Sequence, residues 1–579
     1  MKYRDLTFRL TLLSALTFIA YLAQGGYGAQ LPLSVQPRPA TFPDLYEASI
    51  AELQAGLELE QFTSVDLVTA YLARIEEVNH QGPALHAVIE TNPMALAIAR
   101  VLDIERRVSG ARGPLHGIPI IVKDNIATVT GEGMNTTAGS FALLNSVVPR
   151  DAHVVTRLRA AGAIILGKAN LSEWSHARGT LPSGWSGRGG QCTSPYVPQG
   201  DPSGSSSGSA VSAAIGLAAA ALGTETDGSI IFPSNNANLV GIKPTVGLTS
   251  RAGVIPISSH QDTVGPIARS VADAVTLLSV IAGQDELDNY TLAQPSVLPD
   301  YTLALKADVG LKGVRLGVPR KRFAKISDDV ITVFNASLDI MRALGATVVD
   351  PADLVNHEEF EAYRSPNETL VTGTDLKVDL NRYIAGLVEV PSNVKNLADL
   401  IAYNTAHADE ELVEPYWTDQ SEFIFAQNLS VNEAYFEAVV KAKDLAGKRG
   451  IDATLASFNL SALIMPSQVA SAVPALAGYP IVGVPLGFLP TTTPLSPATP
   501  IRATGPNQPF GLAFVGTAFS EFDLISFAYA YEQATHTRLK IRAYPAAIPK
   551  TQLADIAGKP RRIATVQEPG FLENREAEC

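Results

Sequence analysis

Amphipathic stretches and short apolar runs alternate along most of this chain of 579 residues. Residues 64–78 carry apolar side chains at helical spacing, with Leu67 and Tyr71 on one face. We expect a helix here, capped by Ser64, because a serine hydroxyl can accept hydrogen bonds from the free amides of a first turn. Residues 94–108 predict a further helix of the same kind.

A helix followed by a glycine and a short buried strand is a unit that recurs along the chain. It occupies residues 151–170, recurs at 327–349 and returns more loosely at 430–465. Continuous apolar runs of this kind are typical of strands whose two faces are both covered. Helices that alternate with such strands predict an α/β layer fold. No linker rich in glycine, serine, proline or charge divides the interior, so we expect one large domain.

Composition narrows the classes of function. Hydrophobic residues make up 46% of the chain and charged residues 17%, as in an ordered globular protein. The net charge is −13 and no cluster of lysine and arginine stands out, so we expect no nucleic-acid partner. The nine histidines lack the spacing of a metal site, and we expect no metal.

The first thirty residues have the layout of a secretory signal peptide. Basic residues within positions 2–9 precede an apolar run at 10–23, and small residues follow at 25–29. The alternative is an uncleaved membrane anchor, but the run is short for a span of about 20 residues. We therefore expect a signal peptide at residues 1–28, a secreted (extracellular) protein and no stable membrane association.

The rest of the chain is predicted to form a main domain at residues 29–545 and a polar C-terminal tail at 546–579. Two cysteines, Cys192 and Cys579, exclude a disulfide framework, and whether they pair stays open. Seven Asn-x-Ser/Thr motifs agree with a secreted glycoprotein, at Asn135, Asn170, Asn289, Asn335, Asn367, Asn428 and Asn459.

Two stretches concentrate the residue types that hydrolysis requires. In residues 113–125 (GPLHGIPIIVKDN) an apolar run delivers Lys123 into a polar turn. In residues 201–233 a Ser/Gly run and a Gly-Thr-Glu-Thr-Asp-Gly-Ser turn flank a small apolar segment, whose loops can bring the serines together. A serine nucleophile needs a proton acceptor, and a buried lysine supplies one when its amine is neutral. Glycines leave backbone amides free to face an oxyanion.

With these motifs the chain resembles the amidase signature family of serine hydrolases, and within it the bacterial peptide amidases. The family's lysine motif is matched at residues 113–125, its Gly/Ser motif at 203–209 and its nucleophile turn at 223–230. The similarity extends from about Leu45 to Thr537, nearly the whole chain after the leader.

The resemblance implies a fold and a role for each matched residue. The fold is a single α/β domain at residues 29–545, with a large twisted mixed sheet between helical layers. Ser229 is the expected nucleophile, Ser205 a relay serine on a cis peptide bond, and Lys123 the general base. Ser206 is a candidate for orienting Lys123, and no cofactor is implied. The oxyanion hole is expected at the backbone amides of Thr226, Asp227, Gly228 and Ser229.

Three sites depart from the family pattern. Asp227 stands where most members have glycine, although the peptide amidases share the aspartate. Ser203 occupies a position that is usually glycine. Ala237 and Asn238 stand where a glycine is expected before Leu239. None of these departures removes a catalytic side chain.

The expected function is a secreted amidase that removes peptide C-terminal amides and releases ammonia. The partner is then a small-molecule or peptide amide substrate, and the protein is a monomer or homodimer. Three alternatives are a broad aryl/acyl amidase or esterase, a catalytically silent binding protein on the same scaffold, and one component of an intracellular tRNA amidotransferase. The complete set of Lys123, Ser205 and Ser229 argues against the silent protein, and the leader against the amidotransferase component.

Other motifs are better explained by structure than by chemistry. Residues 204–208 match Gly-x-Ser-x-Gly, but polar residues replace the strand that such a nucleophile elbow requires. Residues 162–168 nearly match a phosphate-binding loop, but their middle has the pattern of a buried strand. We expect His116 to be structural. Trp185 and Gln191 either line the substrate cleft or belong to a packed loop.

Overall fold

The structure is a computed structural model and describes residues 42–558, so the predicted signal peptide lies outside the described residues. The helices are α1 (Ile50–Glu58), α2 (Ser64–Val78), α3 (Ala95–Ser109), α4 (His153–Ala160), α5 (Ser207–Ala214), α6 (Ile231–Asn236), α7 (Val271–Ile281), α8 (Asp328–Ala343), α9 (His357–Ala385), α10 (Leu397–Ala406), α11 (Ala408–Glu411), α12 (Ser421–Gln427), α13 (Glu433–Lys443), α14 (Ala453–Phe458), α15 (Ala472–Ala477), α16 (Glu521–Thr535) and α17 (Leu553–Ala557). The strands are β1 (Val88–Thr91), β2 (Pro119–Lys123), β3 (Ile164–Ala169), β4 (Trp185–Ser186), β5 (Gly190–Gln191), β6 (Ala220–Glu225), β7 (Val240–Lys243), β8 (Thr263–Ala268), β9 (Arg315–Gly317), β10 (Thr347–Val349), β11 (Ala462–Pro466), β12 (Ile481–Phe488) and β13 (Pro509–Val515).

An 11-stranded mixed sheet runs through the described part of the chain, in the order β1-β3-β2-β6-β8-β7-β12-β13-β11-β9-β10. Strand β2 lies between β3 and β6 and is parallel to both, while β9 is parallel to β10 and β11. The other neighbours in the sheet are antiparallel. Helices cover both faces, so the predicted single α/β domain with a mixed sheet between helical layers is confirmed.

The central strands explain why the sheet needs helices on both faces. Every residue of β2, β3 and β6 is buried, and most of their side chains are aliphatic. Helix α5 packs against this part of the sheet and is itself buried along its whole length. Its sequence, SGSAVSAA, permits this close packing: a Cβ atom at Gly208 would lie 2.1 Å from the carbonyl oxygen of Ala87.

The helix at residues 64–78 has the predicted extent but a different cap. Thr63 is the N-cap residue: its hydroxyl accepts from the amide of Asp66 at 3.1 Å, and the Asp66 carboxylate accepts from the amide of Thr63 at 2.8 Å. The amide of Ser64 instead donates to Asp103 at 2.8 Å. The prediction of Ser64 as the cap is therefore wrong by one residue, because the capping box pairs threonine with the aspartate three positions later.

Helix α9 has 29 residues, the longest helix of the described chain, and contains Pro366. Its C-terminal half packs with α10 and α12 in a second hydrophobic cluster that includes Leu376, Leu380 and Phe423. Residues of α9 also line the cleft described below. No helix of residues 42–558 combines the length and apolar character needed to cross a membrane.

The packed chain extends past the boundary predicted at residue 545. Leu553 of α17 is fully buried, and α17 packs against α2. The guanidinium of buried Arg74 donates to the carbonyl oxygens of Thr551 at 2.6 Å and Gly216 at 2.6 Å, and also to Ile215 at 2.8 Å. Arg74 thus joins the C-terminal segment to the helical layer beside the sheet.

Replacing Arg74 with methionine should lower the free energy of unfolding by about 3 kcal/mol or more, because several buried carbonyl groups lose their donors. Urea unfolding followed by circular dichroism measures the change. The matched control is Arg107→Met on α3, where the arginine is exposed and should cost less than about 0.5 kcal/mol. Equal losses in the two variants would contradict this account of Arg74.

Candidate active site

Lys123 is the last residue of β2 and its side chain is fully buried. Its Nζ lies 2.7 Å from Ser205 Oγ, 2.9 Å from Thr224 Oγ1 and 3.3 Å from the Thr224 carbonyl oxygen. Strands β2 and β6 are parallel neighbours, so their carboxyl ends meet at one edge of the sheet. That topology places the lysine beside Thr224, near the end of β6.

Burial controls the charge of this amine. Removal from water disfavours the ammonium form and lowers the pKa of Lys123 to about 7, although the carboxylates of Asp262 and Glu225 act in the opposite direction. A large fraction of the amine is then neutral near pH 7. Neutral amine has a lone pair that can accept a proton.

Three oxygen contacts surround Lys123 Nζ, which is the donor in each of them when the amine is protonated. A neutral amine donates two hydrogen bonds and accepts one, and the Thr224 carbonyl can only accept. Thr224 Oγ1 already accepts from Asn125 Nδ2 at 3.0 Å. The Ser205 hydroxyl, at 2.7 Å, lies closest to the amine; it accepts from the ammonium form and can donate to the lone pair of the neutral form.

Ser205 lies just before α5, and the Gly204–Ser205 peptide bond is cis, as the resemblance implied. The carbonyl of Ser205 accepts from the amide of Ser172 at 3.0 Å. A Cβ atom at Gly204 would lie 2.4 Å from Ser172 Oγ, so the loop can approach this closely only at a glycine.

Ser206 was expected to orient Lys123, but its hydroxyl contacts Thr224 instead. Its hydroxyl donates to the Thr224 carbonyl at 3.1 Å and accepts from the Thr224 amide at 3.2 Å, while its own amide donates to the Ser229 carbonyl at 3.2 Å. Ser206 therefore holds Thr224, which in turn contacts Lys123. The sequence motifs do not predict this role for Thr224, because the pairing of its strand with the lysine strand is known only from the structure.

The turn at residues 226–229 presents free backbone amides. Within residues 42–558 the amides of Thr226, Asp227, Gly228 and Ser229 donate no hydrogen bond. The next two amides, of Ile230 and Ile231, both donate to Glu225 Oε2, at 2.7 and 2.9 Å. Glu225 thus fixes the chain immediately after the turn and leaves the four amides before it available to a ligand.

One cleft of about 580 Å³ is lined by four of the predicted residues, namely Ser205, Thr226, Asp227 and Ser229. Its lining includes Ser205, the turn with Ser229, and α9 residues on the opposite side, among them Glu368 and Leu376. Ser205 is 1% exposed and Ser229 is 9% exposed, so both serines are accessible only through this opening. Lys123 lies beneath Ser205, away from solvent.

Trp185 and Gln191 belong to a packed loop and not to this cleft. Trp185 stacks on Trp417, with ring centroids 5.4 Å apart and an angle of 13° between planes. Gln191 Nε2 donates to the carbonyl of Ser183 at 2.7 Å. Of the two interpretations of these residues, the structure favours packing.

Several other residues that were considered in the sequence are buried and lie outside the cleft lining. His116 is buried with Nε2 3.0 Å from the Leu102 carbonyl. Lys168 lies in buried strand β3, as expected for a strand that only resembles a phosphate-binding loop. Burial raises the pKa of the Cys192 thiol.

Asn170 is fully buried and its amide group is hydrogen-bonded, so this glycosylation motif is inaccessible in the folded chain. No group of three histidine, cysteine, aspartate or glutamate side chains in residues 42–558 could hold a metal ion.

Comparison with known proteins agrees with this fold. A family model described as Amidase matches residues 66–525. A probable amidase of Arabidopsis thaliana is 41% identical over 525 residues, 90% of this chain and 95% of its own. Peptide amidase from Stenotrophomonas maltophilia superposes with a TM-score of 0.76 at 41% identity, covering 86% of this chain and 98% of its own. A glutamyl-tRNA(Gln) amidotransferase subunit from Methylococcus capsulatus is 33% identical over 520 residues, 85% of this chain and 99% of its own.

The shared fold and the extent of these similarities define an enzyme that hydrolyses amides. The chain belongs to the amidase family, and the resemblance drawn from its motifs is confirmed.

Gly228 provides a test of the turn without a substrate. Its φ is +85°, and a Cβ atom there would lie 2.2 Å from the ring of Phe232. We expect Gly228→Ala to lower the free energy of unfolding by about 2 kcal/mol, because both the backbone and the ring must move. The control is Gly131→Ala, where a Cβ atom meets nothing within 4 Å. Equal unfolding midpoints for the two variants would contradict the geometry of the turn.

Proposed function

We propose that the protein is a secreted amidase that removes the C-terminal amide of peptides, with Lys123, Ser205 and Ser229 as its catalytic residues. The observation that carries the proposal is the 2.7 Å contact between the buried Lys123 amine and the Ser205 hydroxyl, in a cleft shared with Ser229. A neutral lysine next to a serine is a proton acceptor for nucleophilic catalysis.

The reaction begins with attack of Ser229 Oγ on the amide carbonyl carbon. The Ser229 proton passes to Ser205, whose own proton passes to the Lys123 amine, so the relay serine returns to its starting state. The C–N bond then breaks, and the leaving nitrogen takes a proton back along the same path as ammonia. Water attacks the acyl-enzyme by the same relay, releasing the carboxylic acid and restoring Ser229.

The turn at residues 226–229 serves as the oxyanion hole in this proposal. Its amides lack partners within residues 42–558, and they lie beside the nucleophile. Donors fixed in advance stabilise the negative oxygen of the tetrahedral intermediate without reorganising. One such donor contributes about 3 kcal/mol in serine hydrolases.

Two further observations support the substrate and the location. Similarity to peptide amidase over 86% of the chain favours terminal amides of peptides. The leader at residues 1–28 favours secretion, where peptide amides are accessible to the enzyme.

Ammonia release from a short peptide amide tests the function. We expect wild-type protein to release ammonia with the internal peptide bonds intact, and Ser229→Ala to lose about 10³-fold or more of this activity because the nucleophile is gone. A coupled ammonia assay and mass spectrometry of the peptide measure both results. The matched control is Ser365→Ala, which removes an exposed hydroxyl of α9 outside the cleft lining and should leave the activity unchanged.

Three results would change the proposal. Release of ammonia only from small aryl amides, or cleavage of esters alone, would replace the peptide substrate with a broad amidase or esterase. Transfer of ammonia to a glutamyl-tRNA would favour the function named for the Methylococcus relative. Undiminished activity of Ser229→Ala would exclude Ser229 as the nucleophile.

The pH dependence of kcat/KM tests the role of Lys123. Its neutral fraction increases as pH rises through a pKa of about 7, so kcat/KM should rise with pH and reach half its plateau near pH 7. Lys123→Arg should abolish the activity, because arginine stays protonated at every accessible pH. A profile that falls between pH 6 and 8 would contradict a lysine base.

A further inference from the structure

Asp262 joins the turn of the candidate oxyanion hole to the loop on its far side. Its Oδ1 accepts from the hydroxyl of Thr226 at 2.6 Å. Its Oδ2 accepts from the backbone amides of Ile257 at 2.8 Å and Ser258 at 3.0 Å. One carboxylate therefore connects the turn to two successive amides of the loop.

We propose that Asp262 is a positioning residue of the amidase, which fixes the oxyanion turn through Thr226 and acts on Lys123 through its negative charge. The inference rests on the proposed function, since it assigns a role at the same turn and the same lysine.

The loop that carries Asp262 is itself anchored to α9. The Ser258 hydroxyl donates to Asp375 at 2.5 Å, and the Ser259 amide donates to Asp379 at 3.0 Å. Ile257 and Gln261 of the same loop line the cleft. Thr226 is thus held by a chain of contacts that ends on a long helix, which limits how far the turn can move.

The charge of Asp262 is the second part of the inference. The negative charges of Asp262 and Glu225 both favour the ammonium form of Lys123. Glu225 is already bound to the amides of Ile230 and Ile231 and lies close to Lys243. Burial and the charge of Lys123 both lower the pKa of His176, and the charge of Arg251 opposes the rise that burial causes in the pKa of Asp262.

Burial raises the pKa of Asp262 to about 6, so its carboxylate is ionised where Lys123 titrates. Without that charge the pKa of Lys123 would fall further. The lysine would then be neutral at lower pH but would also be a weaker base, which lowers the maximal rate of proton transfer.

Two variants separate the charge of Asp262 from its hydrogen bond. Asp262→Asn removes the charge and keeps a side chain of the same shape, whereas Thr226→Val removes the hydroxyl and keeps the charge. The readout is the rate at which a fluorophosphonate probe labels Ser229 between pH 5 and 9. Ser229 Oγ forms a bond to phosphorus, fluoride leaves, and the hydroxyl proton passes through Ser205 to Lys123, so no amide substrate is required.

For Asp262→Asn we expect the rise of labelling rate with pH to move to lower pH by about half a unit or more, with a plateau about tenfold lower. For Thr226→Val we also expect a plateau of the labelling rate about tenfold lower. The rise of that rate with pH should stay where it is in wild type, because the Asp262 charge remains. Circular dichroism establishes that each variant is folded, and Asp262→Ser replaces the asparagine variant if that one does not fold.

The results distinguish this inference from the proposed function. Labelling of wild type but not of Ser229→Ala supports Ser229 as the nucleophile. If, in addition, the labelling rate of Asp262→Asn rises with pH over the same range as that of wild type, the role of the Asp262 charge is overturned. An unchanged plateau in Thr226→Val overturns the positioning role. Equal labelling of wild type and Ser229→Ala, or none in wild type, contradicts the proposed function and the inference with it.

Discussion

The burial of one amine is the constraint on which the rest of the site depends. Lys123 has a pKa of about 7 only because β2 carries it under Ser205 and away from water. Its partners are hydroxyl and carbonyl oxygens, while the nearby carboxylates influence its charge without hydrogen-bonding to it. The fold therefore holds a partly neutral amine in the interior, and the Ser205 hydroxyl lies between that amine and the cleft.

Much of the fold could be predicted because it follows from local patterns. The helix at residues 64–78 and the strands at 119–123 and 462–466 agree with apolar periodicity to within a residue or two. Sheet order could not be predicted, because β6 pairs with β2 across almost 100 residues of chain and no local signal encodes that neighbour. The cap at Thr63 differs from the prediction because a capping box depends on one aspartate.

The candidate site, like the fold, could be predicted only where local motifs mark its residues. Lys123, Ser205 and Ser229 stand in dense motifs, so their identity is visible in the sequence. The contacts of Thr224 and Asp262 are not visible there, because they are set by strand register and by the path of a loop. Ser206 illustrates the limit: its motif placed it beside the lysine, and its hydroxyl instead binds the backbone of Thr224.

The contacts of residues 551–552 have a consequence for when the domain can fold completely. Arg74 binds the carbonyl of Thr551, and the amide of Leu45 binds the side chain of Gln552, contacts that span 477 and 507 positions. Contacts this distant in sequence form late and slow the search for the native state. The first helices of the domain therefore stay partly unpacked until the segment at residues 551–552 has been synthesised and can pack against them.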